Sequence, residues 1–486
     1  MILPELIISL NVMIFITGVI IPLGIEKPLN MLKLPLISSI AAMLLSAVYF
    51  FCLHNSDPVL FFGGNFIIDK LAFYHIMIVN IVFLAAGIYM QEYFAKSMET
   101  DEHTAFHYRR FSMLWQGFQL MLIIVILSNN IGLSWVAMEA TTILSAFLII
   151  SESDSLSLEA MWKYLLICSV GIGLAFIGTI LVAAGGINTF SELYIHAEEL
   201  NPKLILFAFI FIAVGYGTKA GLSPMHSWLP DAHSQAPTPV SAVFSGVMLN
   251  AALFIIMRYL PIVERAGGGS GEAHSILLLT GFLSLLFAAV FIPIQTDLKR
   301  LLAYCSVEHV GIIAIGIGLG GLGTTAALLH CLNHSLSKML AFFASGSVIH
   351  EYGTRDMRKI TGLMKRMPMW GTAFMVSMLA LMGVAPFSIF ISEFLIVKTA
   401  FTGGQYLLFG LFMLGTLAIF ISMLKFTLEI AFKQGKPGKL TGRVGIADKA
   451  IIIISVAVLL LFGLWLPPDF FGFLEQAAQI IEGGLI

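Results

Sequence analysis

Runs of about twenty apolar residues, parted by short polar stretches, recur from one end of the chain to the other. Fourteen are counted, over roughly 3–24, 32–54, 71–93, 111–129, 131–150, 161–185, 203–223, 237–260, 274–293, 300–320, 324–349, 370–398, 405–430 and 448–467. Each is long enough to cross the hydrocarbon layer as a helix, and little chain is left for a soluble domain. The pattern predicts an all-α, multi-pass membrane protein of about fourteen spans. The first run has no basic stretch ahead of it and no small-residue cleavage site, so it reads as a retained span and not a signal peptide. Two runs are interrupted. Gly217, Gly221 and Pro224 break the seventh, and Pro386 breaks the twelfth.

Composition strengthens this reading. Of 486 residues, 58% are hydrophobic and 11% charged, far outside the range of soluble domains. The expected surrounding is the lipid bilayer, and no nucleic-acid partner is expected. The 26 Lys and Arg residues sort by side. Seventeen fall in loops after odd-numbered runs. Only Lys70, Lys203, Arg258 and Arg265 fall in or beside loops after even-numbered ones. The positive-inside rule puts the odd loops in the cytoplasm and both termini on the outer face of a cytoplasmic membrane.

The other five basic residues, Lys163, Lys219, Lys338, Lys398 and Lys425, lie inside predicted helices. Arg258, near a helix end, can snorkel. The use of lysine has chemical meaning: arginine stays charged, whereas a buried lysine readily loses and regains a proton. Carboxylates and imidazoles join them. Glu139 sits mid-run in "SWVAMEATTILSAF", Glu308 and His309 in "LLAYCSVEHVGII", and Glu393 follows the Pro386 break. His330, His334 and Lys338 are spaced four apart, which places them on one helical face. A charge at the bilayer centre costs about 2.5–3.5 kcal/mol on insertion scales, so a passive protein would hardly carry so many.

Plainer readings stand beside these. Lys398, Lys425 and Glu429 lie toward helix ends, where they can snorkel. His330 can be a packing residue, and His226 and His233 can belong to a connecting loop. Glu139, Lys219, Lys338 and Glu393 can form structural ion pairs. Asp297, Lys299 and Arg300 read as a cytoplasmic anchor, and "GLGGLG" at 318–323 as a tight turn, since no strand precedes it. Cys52, Cys168, Cys305 and Cys331 are widely spaced in apolar segments and read as small buried hydrophobes. Their spacing suggests no metal or cluster site in this chain, and neither a Walker motif nor a dinucleotide fingerprint is present.

The charges also recur. Separations of 169, 175 and 174 residues relate Glu139 to Glu308, Lys163 to Lys338 and Lys219 to Glu393. Each step crosses five runs, and an odd number reverses orientation. This predicts two inverted five-helix repeats, helices 4–8 over 111–260 and helices 9–13 over 274–430, after an N-terminal unit at 1–110 and before a last helix and tail at 448–486. A helix broken inside a membrane is tolerated only beside protein or a wet cavity. A cavity at Lys219 would let its proton exchange, and Glu139 would pair with the charged lysine. The series Glu139, Lys163, Lys219, Lys338 and Glu393 then reads as a lateral proton wire, with His233, Asn250, Glu308, His309, His330, His334 and Lys398 as further members.

"GTKAGLSPMHSWLPDAHSQAPTPVSA", followed in order by "DLKRLLAYCSVEHVG", "HSLSKMLAFFASG" and "FISEFLIVK", resembles the antiporter-like subunits of respiratory complex I, Mrp-type sodium/proton antiporters and membrane-bound hydrogenases. The resemblance covers about 70–430. It implies the fourteen-helix inverted-repeat fold and proton translocation driven by an attached redox module. It casts Glu139 as the family's fifth-helix glutamate, Lys219 as its seventh-helix lysine, Lys338 as the central lysine of the eleventh and Glu393 as the terminal residue of the twelfth. Many relatives carry lysine or histidine in the eighth helix, where this chain has Ser245 and Asn250. That asparagine, with "WVAMEATTILSAFLI", looks most like the F subunit of hydrogenase-4 and formate hydrogenlyase-type complexes. The short ending "PPDFFGFLEQAAQIIEGGLI" has no room for the long lateral helix of one complex I subunit.

The favoured expectation is a non-catalytic, proton-translocating subunit of a hydrogenase-type complex. Its partners would be other antiporter-like and small membrane subunits, together with cytoplasmic subunits holding nickel–iron and iron–sulfur centres. The rivals are an Mrp-type sodium/proton antiporter subunit, a passive scaffold and a small-solute symporter. Sodium would want a cluster of oxygen ligands, and the runs contain no aspartate pair.

Overall fold

The computed structural model describes residues 2–53, 58–99, 104–151, 155–434 and 444–483. Its helices are α1 (Ile2–Ile20), α2 (Pro28–Leu53), α3 (Lys70–Glu99), α4 (Ala105–Leu127), α5 (Ile131–Ile149), α6 (Ser155–Ala183), α7 (Phe190–Ile195), α8 (Pro202–Ala220), α9 (Leu229–Gln235), α10 (Thr238–Val243), α11 (Leu249–Ala266), α12 (Glu272–Phe291), α13 (Leu298–Leu319), α14 (Leu322–Tyr352), α15 (Leu363–Arg366), α16 (Pro368–Leu381), α17 (Ser388–Thr402), α18 (Tyr406–Phe432), α19 (Ile446–Leu464) and α20 (Pro468–Ile481). A π turn, Phe244–Met248, joins α10 to α11 as one continuous helix. The Lys436, Lys439 and Arg443 of the basic-loop count, and the Cys52 side chain, lie outside the described residues.

Among the described residues, twelve helices are long and apolar enough to cross a membrane. The two other expected spans are also helical. α14 runs for 31 residues and carries the His330–His334–Lys338 face; the 370–398 run is split into α16 and α17. A small antiparallel hairpin, β1 (Val59–Phe61) with β2 (Phe66–Ile68), was not expected. It docks on the α4–α5 turn, where the Asn65 carbonyl accepts from the amides of Asn129 and Asn130.

Local signals set the helix ends. Asn130 and Asn201 cap α5 and α8, each accepting from two backbone amides, and Asp297 caps α13. Gly221, at φ +83°, ends α8 in the left-handed conformation. Gly320 and Gly321, both at positive φ, make the tight turn expected within "GLGGLG".

α11, α13 and α14 form the centre. Nearly every residue of these helices is buried, so their polar side chains face protein. α1, α2, α18 and α19 instead expose apolar faces, with Met13, Leu44, Leu414 and Ile453 among the outward side chains. That distribution is what a lipid-facing ring requires.

Close contacts rest on glycine. A Cβ at Gly281 would sit 2.7 Å from the Gly311 carbonyl oxygen, and one at Gly311 would sit 2.8 Å from that of Gly281, where α12 and α13 touch. Gly215 and Gly178 do the same for α6 and α8. Gly281→Leu is expected to destabilise the bundle by ~1–3 kcal/mol through overpacking. A fall in the unfolding temperature in detergent, absent from Leu286→Ala on the exposed face of α12, checks it.

Arg258 does not snorkel. It is 6% exposed and grips Asp69 with both terminal guanidinium nitrogens, Nη1 to Oδ2 at 2.5 Å and Nη2 to Oδ1 at 2.9 Å. Asp69 also caps the start of α3, accepting from the Ala72 amide at 2.8 Å. The pair locks α3 to α11 inside the protein.

Candidate functional site

The break after α8 places Lys219 in that helix's last turn, fully buried. Its Nζ donates to Thr142 Oγ1 on α5 at 2.9 Å and to the Tyr164 hydroxyl on α6. Tyr164 is in turn 2.5 Å from Ser145 Oγ. Backbone groups released by the break find partners: Trp228 Nε1 donates to the Thr218 carbonyl at 2.8 Å, and the Ser223 amide to Ser284 Oγ at 2.8 Å. The interruption is thus a built feature, with these two backbone groups satisfied by protein.

Glu139 does not bond Lys219. Its Oε1 accepts from Ser169 Oγ at 3.1 Å, and its buried Oε2 has no partner. It acts on the lysine across space only. The expected direct ion pair is therefore replaced by a hydroxyl cage of Thr142 and Tyr164.

Lys163 needs a larger correction. Its side chain is 47% exposed and bonds Glu159 at 2.6 Å and Asp231 at 3.2 Å. Asp231 also accepts from Arg300. Lys163 belongs to a surface clamp that ties α6, the broken segment α9 and α13 together. The buried α6 contributor is Tyr164, the next residue along. The anchor reading of "DLKR" changes as well: Lys299 is 4% exposed and donates to the Ala236 carbonyl at 2.8 Å.

The second cluster lies among α13, α14 and α17. His309 Nδ1 is 2.9 Å from His330 Nε2, and His330 Nδ1 is 2.9 Å from Ser392 Oγ. Ser392 sends its own hydroxyl proton to the Ile389 carbonyl at 2.9 Å, so its oxygen accepts. This favours His330 with its proton on Nδ1 and a lone pair on Nε2, which can accept from His309 Nδ1. His334 stacks 5.2 Å from His309, centroid to centroid. Lys338 Nζ donates to the Leu302 carbonyl at 2.6 Å. His309, His330, His334 and Lys338 are all 0% exposed, and Glu308 is 3% exposed.

Glu393 is partly buried, with its carboxylate against Gly383 at the second break. A Cβ there would lie 2.2 Å from Oε2, and the backbone φ of +65° also demands glycine. Lys398 and Lys425 are exposed and stand apart from this cluster. That corrects Lys398 as a member of the series and fits the helix-end reading.

His233 stands between the two clusters, its ring 6.0 Å from Trp228 and 6.1 Å from Phe342. Asn250 links α11 to α14, donating to Ser335 Oγ at 2.9 Å and to the Gly246 carbonyl at 3.1 Å. Ser335 Oγ also donates to that carbonyl, which lies in the π turn. Several buried polar atoms here have no protein partner: Glu308 Oε2, His233 Nε2, Asn250 Oδ1 and both nitrogens of His334. Such atoms are rare in folded interiors and mark places where water or a transferred proton is accommodated. A separate cavity of about 920 Å³, lined by residues such as Phe73, Met77, Leu336 and Ile454, is almost wholly apolar and offers a polar solute little to bind.

Residues 128–421 match the family described as NADH:quinone oxidoreductase/Mrp antiporter, transmembrane. The chain is 37% identical over 361 residues to a protein called hydrogenase-4 component F homolog from Methylacidiphilum infernorum, covering 72% of this chain and 75% of that one. It is 31% identical over 440 residues to the Na(+)/H(+) antiporter subunit A1 of Staphylococcus aureus (strain Newman), covering 83% of this chain and 53% of that protein, so it spans about half of that relative. The fold matches, with a TM-score of 0.88 at 23% identity over 98% of this chain and 97% of the other, a subunit in the structure of the membrane-bound sulfane sulfur reductase, an archaeal respiratory membrane complex.

Proposed function

This chain belongs to the NADH:quinone oxidoreductase/Mrp antiporter transmembrane family, and from that premise we propose that it is the proton-translocating, antiporter-like subunit of a membrane-bound hydrogenase-type redox complex. The observation that carries the reading is the buried titratable series, Lys219 to His233 to Lys338 and the His334–His309–His330 group, ending at Glu393 beside the second broken helix. Hydroxyls and polar atoms without a protein partner lie among these groups, and water between them would complete the path. A proton enters at Lys219, crosses by way of His233, and moves from His309 Nδ1 to His330 Nε2 along a contact already of hydrogen-bond length.

The two halves, 111–260 and 274–430, act as inverted repeats, each supplying a half-channel at its broken helix. The protein sits in the cytoplasmic membrane with both termini outward. Electrons travel through partner subunits that hold the nickel–iron and iron–sulfur centres, docked on the cytoplasmic side. The redox reaction drives separation and re-formation of charge along the series.

The Mrp-type reading keeps the same wire but requires sodium. The second cluster offers mostly imidazole nitrogen, whereas a hard cation such as sodium prefers oxygen. The discriminating experiment places the purified complex in vesicles free of sodium. Redox-driven acidification of the lumen at the full rate is expected. A strict sodium requirement would instead assign the chain to the antiporter class.

A further inference from the structure

The second cluster also has the donor set of a metal centre. We propose that His309, His330 and Glu393 form a binding site for a divalent transition-metal ion of the zinc class, and that the bound ion arrests the proton relay. Occupancy is independent of the function proposed above; the arrest rests on it.

One nitrogen from each histidine and one oxygen of Glu393 lie within 4.8 Å of one another. Two imidazoles and a carboxylate are the protein ligands of a common class of zinc site, which leaves a fourth position open. Zinc–nitrogen bonds of about 2.0–2.1 Å in a tetrahedral shell set the two nitrogens about 3.3 Å apart. His309 Nδ1 and His330 Nε2 are 2.9 Å apart, a few tenths of an ångström from that spacing, and the Glu393 carboxylate, within 4.8 Å, moves in to complete the set. The ligands come from three helices, α13, α14 and α17, which is why no ligand spacing appears along the sequence.

The surroundings are arranged as for a ligand set. Ser392 Oγ accepts from His330 Nδ1 and aims the Nε2 lone pair into the site, as hydrogen-bond partners behind the ligands do in metal centres. His309 must coordinate through Nδ1 with its proton on Nε2. In that tautomer the Leu381 carbonyl is at hand as a backbone hydrogen-bond partner for the His309 ring. Gly383 leaves room for the Glu393 carboxylate. The other titratable groups facing the cluster are His334, Glu308 and Lys338. Glu308 favours a cation there, and Lys338 opposes it unless neutral.

The competing group is Cys305, Glu308 and His309, whose ligand atoms also lie within 4.8 Å of one another. It differs by a sulfur. The ion displaces the hydrogen bond between His309 and His330, so a proton no longer has a route between the two rings.

The test uses the whole purified complex, stripped with a chelator and titrated with zinc alone. X-ray absorption is expected to report a nitrogen/oxygen shell with two imidazoles in the wild type. His330→Gln and Glu393→Gln are each expected to bind one zinc fewer per complex. Ser392→Ala, which keeps every ligand, is expected to weaken binding ~10–100-fold and serves if the ligand variants do not fold. A shell containing sulfur, or the same zinc count and affinity in Ser392→Ala and His330→Gln as in the wild type, would overturn the site. In vesicles, zinc is expected to stop proton translocation and a chelator to restore it. Undiminished translocation with the site filled would overturn the arrest and leave the binding result standing.

Discussion

Replacing Lys219 by alanine is expected to lower redox-driven proton translocation by ~100-fold or more, in keeping with the usual contribution of a positioned proton-transfer group. The complex should still assemble. Lys219 is buried at the end of a broken helix and holds its ammonium group between Thr142 on α5 and Tyr164 on α6. Lys219→Arg separates two explanations. Arginine keeps the charge but does not release a proton in proteins. If the lysine cycles its proton, arginine fails as alanine does; if it merely supplies a fixed charge, arginine restores activity. Luminal acidification in vesicles, with assembly checked on native gels, reads both. Full pumping by the assembled alanine variant would reduce the chain to a scaffold.

Asp69→Asn and Arg258→Leu are each expected to destabilise the protein by ~3–5 kcal/mol, because each leaves a buried charge without its partner. Asp69 and Arg258 are 5% and 6% exposed and share two hydrogen bonds. The double replacement Asp69→Leu with Arg258→Met should recover much of the loss, since an apolar pair of similar volume often matches a buried ion pair. Denaturant unfolding in detergent measures the series. Single variants within ~1 kcal/mol of the wild type would mean that the pair behaves as a surface salt bridge.

The sequence carried the outline of this protein well and its inward faces poorly. Helix breaks at Gly221 and Pro386 were legible because glycine and proline punctuate a chain whatever surrounds them. The His330–His334–Lys338 face was legible because a spacing of four needs only one helix. Lys163 was misplaced because α6 is apolar on nearly every side, so no polar stripe tells which way it turns. The chemistry fell one residue on, at Tyr164, about 100° around the helix. Arg258 was misread for a related reason. Its partner Asp69 lies 189 residues away, just ahead of α3, and only the packing of α3 on α11 brings them together. The Glu139–Lys219 pairing failed at the level of distance, which spacing along a chain does not encode.

The π turn at Phe244–Met248 has a consequence for the whole eighth span. It winds one surplus residue into the helix, and everything beyond it is rotated by that amount. Deleting a single residue there would return the segment to ordinary winding and swing the following half by about 100°. Asn250 would leave Ser335 and Arg258 would leave Asp69 in the same movement. One local irregularity therefore sets the aim of two distant contacts, and neither can be re-sited without the other.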